Sequence, residues 1–169
     1  MSLKQNMIDP FNAQIKSEFS ASAQYIAIAA YFDEMGLKQL AQFFYRQSEE
    51  ERMHAMKFVH FMLETEAKPI IPSIPELRND FDSPADAVQF ALDQERKVTD
   101  EIDNLVSLSL AEQDHASNNF LQWFVTEQVE EVDTMGTLLQ TIKLAGSNLL
   151  LVEDYVMRNP QHAEEETFN

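Results

Sequence analysis

The sequence predicts an all-α protein: a four-helix bundle with a long crossover between the second and third helices and a short fifth helix near the C-terminus. Three observations carry that expectation. Only 3 glycines and 6 prolines occur among 169 residues, and the prolines collect at a few places, leaving long stretches free to be helical. In those stretches Ala, Leu, Met, Gln, Glu and Phe are common and β-branched residues sparse, which favours helix over strand. Four of the stretches carry apolar residues at alternating steps of three and four, which keeps each set on one helix face.

Asp9 as N-cap and Pro10 at the first helical position open the first helix, which stops near Gly36. The second follows at once, about Leu37 to Glu66, so the two form an antiparallel hairpin. Lys68 to Asp82, with Pro69, Pro72, Pro75 and Asn79-Asp80, cannot continue a helix; at roughly 15 residues it is longer than an ordinary connection and predicts a crossover along the bundle. Ser83-Pro84 opens the third helix, with Asp86 in its first turn, running to about Glu112. The polar run Asp114 to Asn119 is expected to turn into a fourth helix that ends near Gly146, and Leu149 to Met157 forms the short fifth. One domain therefore spans 1–158, followed by a polar tail, 159–169. Helices of this length reach about 40 Å.

Each apolar stripe is broken near its middle by a polar group. The second reads Leu37, Leu40, Phe44, Gln47, Glu51, His54, Phe58, Phe61. The first carries Glu18 and Ser22 between Phe11, Ile15, Tyr25, Ala29 and Phe32; the third carries Glu95 among Val88, Ala91, Val98, Ile102 and Leu105. The fourth carries Gln128 and Glu131 among Phe120 or Leu121, Phe124, Met135, Leu138 and Ile142. Antiparallel helices of similar length bring their midpoints to one level, so these groups should meet in one layer. A buried, unpaired charge is costly, and a metal ion is a partner that satisfies it. Glu18, Glu51, His54, Glu95 and Glu131 make an oxygen-rich set with one imidazole, which suits iron or manganese and also accepts zinc. Glu112-x-x-His115 repeats the spacing of Glu51-x-x-His54 but straddles the polar turn with no apolar frame, so it is set aside.

The net charge of −17 argues against nucleic acid or an anionic membrane as a partner and favours cations. There is no cysteine, hence no disulfide and no thiolate metal site. The first residues show no secretory signal, and no apolar run is long enough to span a membrane. A cytoplasmic location is the expectation, or a plastid if a transit peptide has been removed.

From Pro10 to about Met157 the chain resembles the prokaryotic non-haem ferritins, through FNAQIKSEFSASAQY, SEEERMHAMKF, LDQERKV and NFLQWFVTEQVEEVD. The resemblance implies a ferritin-like bundle and an iron-storage ferroxidase. Ferrous iron would be oxidised by O2 or H2O2 at an intrasubunit di-iron centre and kept as ferric mineral inside a homo-oligomeric shell of 24 subunits. It implies that Glu18 and His54 hold the first iron and Glu95 and Glu131 the second, with Glu51 bridging. Gln128 would lie beside the second iron and Tyr25 close by. A third, weaker iron position would use Glu50, Glu127 and Glu130, with Glu131 shared. Trp123 matches an oxidisable family tryptophan, and the short fifth helix one that lines four-fold channels. Two features depart from the bacterioferritins: Thr134 follows Glu131 where they have a histidine, and Arg52 stands where they have a haem-binding methionine. No haem is therefore expected. Two other functions compete: a non-storage di-iron or di-manganese oxidase or peroxidase of the same fold, and an acidic interaction protein whose buried carboxylates are only hydrogen-bonded.

Overall fold

The computed structural model describes residues 2–160. Five helices follow one another: α1 (Gln5–Glu34), α2 (Lys38–Glu64), α3 (Pro84–Ala111), α4 (His115–Ala145) and α5 (Leu149–Arg158). No strand occurs among the described residues, and none of the helices is long and apolar enough to cross a membrane. From position 161 onward, the polar tail lies outside the described residues.

The stripes become the core. Every residue assigned to those of α1 and α3 is buried, as are those of α2 apart from the half-buried Phe61. On α4, Leu121 takes the buried position and Phe120 is partly covered, its ring stacked on Phe61 at 4.2 Å. The apolar side chains form two clusters, one at each end of the bundle. Phe32, Leu40, Val88 and Ile142 belong to one; Phe11, Met62, Ile102 and Leu121 belong to the other. These memberships define the topology. α1 runs from the second cluster to the first and α2 returns; the crossover carries the chain back along the bundle, so that α3 starts beside the start of α2. α1 packs mainly on α2 and α3 mainly on α4.

The crossover is pinned by side chains of α1. Gln24 donates through Nε2 to the Arg78 carbonyl at 2.6 Å and accepts from the Arg78 N–H at 3.0 Å; Asn12 accepts from the Ile70 N–H at 2.6 Å. α5 adds to the first cluster with Val152 and Val156. Its Glu153 carboxylate accepts from the N–H groups of Gln39 (3.1 Å) and Leu40 (2.9 Å). α5 thus caps α2, placing a negative charge at the positive end of that helix.

Two boundaries differ from those the sequence suggests. α1 begins at Gln5, so Pro10 lies inside it and not at its first position. Proline there forfeits one backbone bond to the carbonyl one turn earlier. The extra turn persists because Met7 is fully buried in the second cluster, Leu3 N–H bonds Thr65 O at 3.0 Å, and Asn6 bonds Glu112 at 2.9 Å. α4 begins at His115, earlier than the polar run suggests, because Asp114 is a complete cap. Its Oδ1 accepts from Ser117 N–H at 3.1 Å and its Oδ2 from Lys4 N–H at 3.3 Å. Asp114→Ala would orphan both donors and is expected to lower stability by about 1–2 kcal/mol, read as a lower thermal midpoint of the metal-free protein. Ser83 caps α3 as expected, accepting from Asp86 N–H at 3.1 Å.

Candidate metal centre

Between the two apolar clusters the four long helices present Glu18 (α1), Glu51 and His54 (α2), Glu95 (α3), and Gln128 and Glu131 (α4), none more than 4 % exposed. They sit at the helix middles, so they share one level. Three overlapping groups of candidate ligands result, the atoms of each lying within 4.8 Å of one another: Glu18/Glu51/His54, Glu51/Glu95/Glu131 and His54/Glu127/Glu131. Any two groups share one residue. Glu51 joins the first and second, His54 the first and third, Glu131 the second and third.

The imidazole of His54 stands between carboxylates on both sides. Its Nδ1 is 3.5 Å from Glu51 Oε2 and 3.9 Å from Glu18 Oε2, and its Nε2 is 3.9 Å from Glu127 Oε1. None of these is a hydrogen bond. Glu18 Oε2, both Glu51 oxygens and His54 Nδ1 are buried without a hydrogen-bond partner. Four unsatisfied ligand atoms facing one another are rare in a native interior, and together they fit a divalent cation.

The remaining oxygens are tethered. Gln14 Nε2 donates to Glu18 Oε1 at 2.8 Å, the Tyr25 hydroxyl donates to Glu95 Oε1, Gln128 Nε2 donates to Glu95 Oε2 at 3.2 Å, and Gln47 Nε2 donates to Glu131 Oε2 at 3.0 Å. Trp123 packs edge-on to His54 at 5.3 Å, with Lys57 Nζ 4.1 Å from its ring centroid.

With several carboxyls crowded together out of water, the layer holds protons tightly. Burial pushes the Glu18 carboxyl well above its ordinary range, and the charge of Glu51 adds to it. Burial likewise raises Glu51 and Glu131, each pushed further by Glu95. Burial also raises Glu95, against the opposing effect of the hydrogen bonds from Tyr25 and Gln128. Glu50, half-buried beside the layer, is lifted to about 7 by burial, with His54 opposing and Glu127 reinforcing. Burial and the Glu95 carboxylate keep the Tyr25 hydroxyl protonated well past its usual range.

Every residue of the expected di-metal set is therefore brought together. Glu127 joins a group with His54 and Glu131, and Glu50 lies within electrostatic reach of both Glu127 and His54. Glu130 is exposed and belongs to none of the three groups. Glu112 ends α3 away from the layer and His115 is exposed. Two features escaped the sequence pattern. Gln14 is buried one turn before Glu18 but lies off the stripe, and only its four-residue spacing from Glu18 signals the contact. The second face of His54 follows from the packing of α2 against α4, which no spacing within α2 reveals.

Comparison with known proteins bears on the family and the fold. The profile of the ferritin-like domain matches residues 8–145. The chain is 51 % identical over 145 residues to ferritin BfrB of Mycolicibacterium smegmatis, covering 86 % of this chain and 80 % of that protein. It is 31 % identical over 146 residues to a bacterial non-heme ferritin of Staphylococcus aureus, covering 86 % and 88 %. A Mycobacterium tuberculosis relative at 46 % identity over 145 residues, covering 86 % and 80 %, carries the name bacterioferritin BfrB, so the names of the relatives do not separate the two branches. Among solved structures, an open-pore ferritin of the archaeon Archaeoglobus fulgidus superposes with a TM-score of 0.89 at 32 % identity, over 93 % of this chain and 97 % of that one. A profile spanning most of the chain, a relative at half identity and a shared bundle leave one assignment: this chain belongs to the ferritin family.

Proposed function

We propose that the protein is an iron-storage ferritin with ferroxidase activity. The observation that carries this reading is the sharing of Glu51, buried with both oxygens unsatisfied, between two adjacent ligand groups. Ferrous iron is the substrate. One ion is taken by Glu18, Glu51 and His54, the other by Glu51, Glu95 and Glu131, with Gln128 steadying Glu95. Each ion gives up one electron, and the pair supplies the two electrons that reduce O2 to hydrogen peroxide or H2O2 to water. The carboxyls that hold protons in the metal-free layer release them as the cations enter. Tyr25 stays protonated and holds Glu95 by its hydroxyl. The third position is assigned to Glu50, Glu127 and Glu130 with Glu131 shared; Glu127 and Glu131 form a ligand group with His54, and Glu50 lies near them.

Storage requires a shell. Exposed apolar residues on the crossover (Ile70, Ile71, Ile74) and around α5 (Leu144, Leu150, Leu151) suit burial between subunits, and the solved structures similar to this chain are ferritins. The relevant form is the 24-subunit shell without haem; Arg52 and Thr134 stand where a haem-binding branch would differ.

Size and stoichiometry test the proposal together. A shell of 24 chains of 19.5 kDa elutes at roughly half a megadalton. Anaerobic titration with ferrous iron is expected to saturate at about two ions per chain, followed by rapid oxidation on admitting air. A small oligomer would refute storage and leave a non-storage oxidase of the same fold. Binding with no oxidation would refute the ferroxidase.

A further inference from the structure

Buried glutamines hold three of the four central carboxylates. Gln14 donates to Glu18, Gln128 to Glu95 and Gln47 to Glu131, at 2.8, 3.2 and 3.0 Å. Glu51 is the exception, with neither oxygen bonded. An amide suits this task. It donates to one carboxylate oxygen and fixes its direction, yet carries no positive charge that would compete with a cation for the other.

The tethers differ in reach. Gln14 acts within α1 on the residue one turn ahead, while Gln47 reaches from α2 across to α4. Gln47 sits on its stripe one turn before Glu51. It is fully buried, and its Oε1 has no hydrogen-bond donor. A buried, unpaired acceptor is destabilising, and a methionine of the same length would avoid it. Stability therefore gives no reason for glutamine at this position. Its bond to Glu131 does, because Glu131 is the carboxylate common to the Glu51/Glu95/Glu131 and His54/Glu127/Glu131 groups.

We propose that Gln47 is a positioning residue that orients the Glu131 carboxylate and so sets cation affinity at the Glu51/Glu95/Glu131 position, with little effect at the Glu18/Glu51/His54 position. This rests on the metal-centre reading above. A cation held by His54, Glu127 and Glu131 is expected to weaken in step with the first of these positions.

The test is titration of the metal-free, assembled protein with Co2+, read by calorimetry and by the visible absorption of the bound ion. Glu18→Ala marks which binding class belongs to the Glu18 group. In Gln47→Met, the other class is expected to weaken about 10- to 100-fold, the usual cost of removing a supporting residue from a metal site, while the Glu18 class holds within about twofold. Gln14→Met is expected to do the reverse. In a Glu131→Ala background, Gln47→Met should have no further effect on Co2+ binding, since the residue through which it acts is gone. Equal weakening of both classes, no weakening of either, or an undiminished effect in the Glu131→Ala background would each overturn the proposal. If Gln47→Met does not assemble, Gln47→Leu enters the same cycle. Wild-type protein that binds no Co2+ in two classes would instead refute the metal-centre reading, so the two failures are distinguishable.

Discussion

Glu51→Ala is expected to lower the initial rate of ferrous iron oxidation by about 100-fold or more, at least the upper end of the effect of losing a supporting residue, while the shell still assembles. Glu51 alone belongs to both ligand groups of the proposed di-iron centre, so on that reading its loss removes a ligand from each ion at once. The same residue should have the opposite effect on stability. Its two oxygens are buried with no donor and its carboxyl is held above its ordinary range by burial and by Glu95. A buried polar group left without a partner costs about 1–3 kcal/mol, which an apolar side chain of similar size avoids. Glu51→Met is thus expected to melt higher than wild type when both are metal-free, and to gain less from added Zn2+. Stopped-flow oxidation and calorimetric melting read the two effects. Unchanged initial rates, or a lower apo melting point for Glu51→Met, would refute the role assigned to this carboxylate.

The second large effect is an inverted pH dependence. Glu18, Glu51, Glu95 and Glu131 all have folded-state pKa values above their ordinary ones. The folded protein therefore binds more protons than the unfolded chain, and stability falls as pH rises through the window between the ordinary and the raised values. For Glu50 that window runs from 4.5 to about 7. Asp86 is shifted down and Lys38 up; both keep the same charge across this range and contribute no slope. Metal-free protein is expected to be less stable at about pH 8 than at about pH 5 by about 2 kcal/mol or more, the equivalent of one to two pKa units on a single group. With excess Zn2+ the slope should reverse, because the cation replaces the protons and binds more tightly as pH rises. Thermal melts across this range, with chelator and with Zn2+, measure both slopes. A metal-free stability that is flat or rises with pH would contradict the charged layer.

Much of this was legible in the sequence, for physical reasons. Helix α2 was readable because its stripe is long, and because Glu51 and His54 sit where only apolar side chains are expected, flanked by Phe44 and Phe58. The common level of the four polar positions followed from helix lengths alone. Periodicity could not choose between Phe120 and Leu121, since neighbouring residues lie about 100° apart around a helix; the structure buries Leu121 and leaves Phe120 partly covered, stacked on Phe61. Pro10 misled because local preference places proline at a helix start, whereas burial of Met7 and the tie from Asn6 to Glu112 add a turn before it. The tethers from Gln14 and Gln47 were invisible for another reason. A buried glutamine has no sequence signature until the oxygen that it holds is known. Glu130, which the resemblance groups with Glu127 one turn earlier, is exposed and belongs to none of the three ligand groups.

Apolar packing in this bundle is confined to its two ends, and that has a mechanical consequence. At mid-height the helices are joined by hydrogen bonds while their carboxyls repel one another, and each rod runs through the gap unbroken. Compared with the two packed ends, a waist without apolar clustering should yield more readily. Carboxylates there can swing as an ion changes charge and preferred geometry, without the strain reaching the end faces. A cation held by carboxylates of all four rods would tie them to one another, so that loading and stiffening become one event.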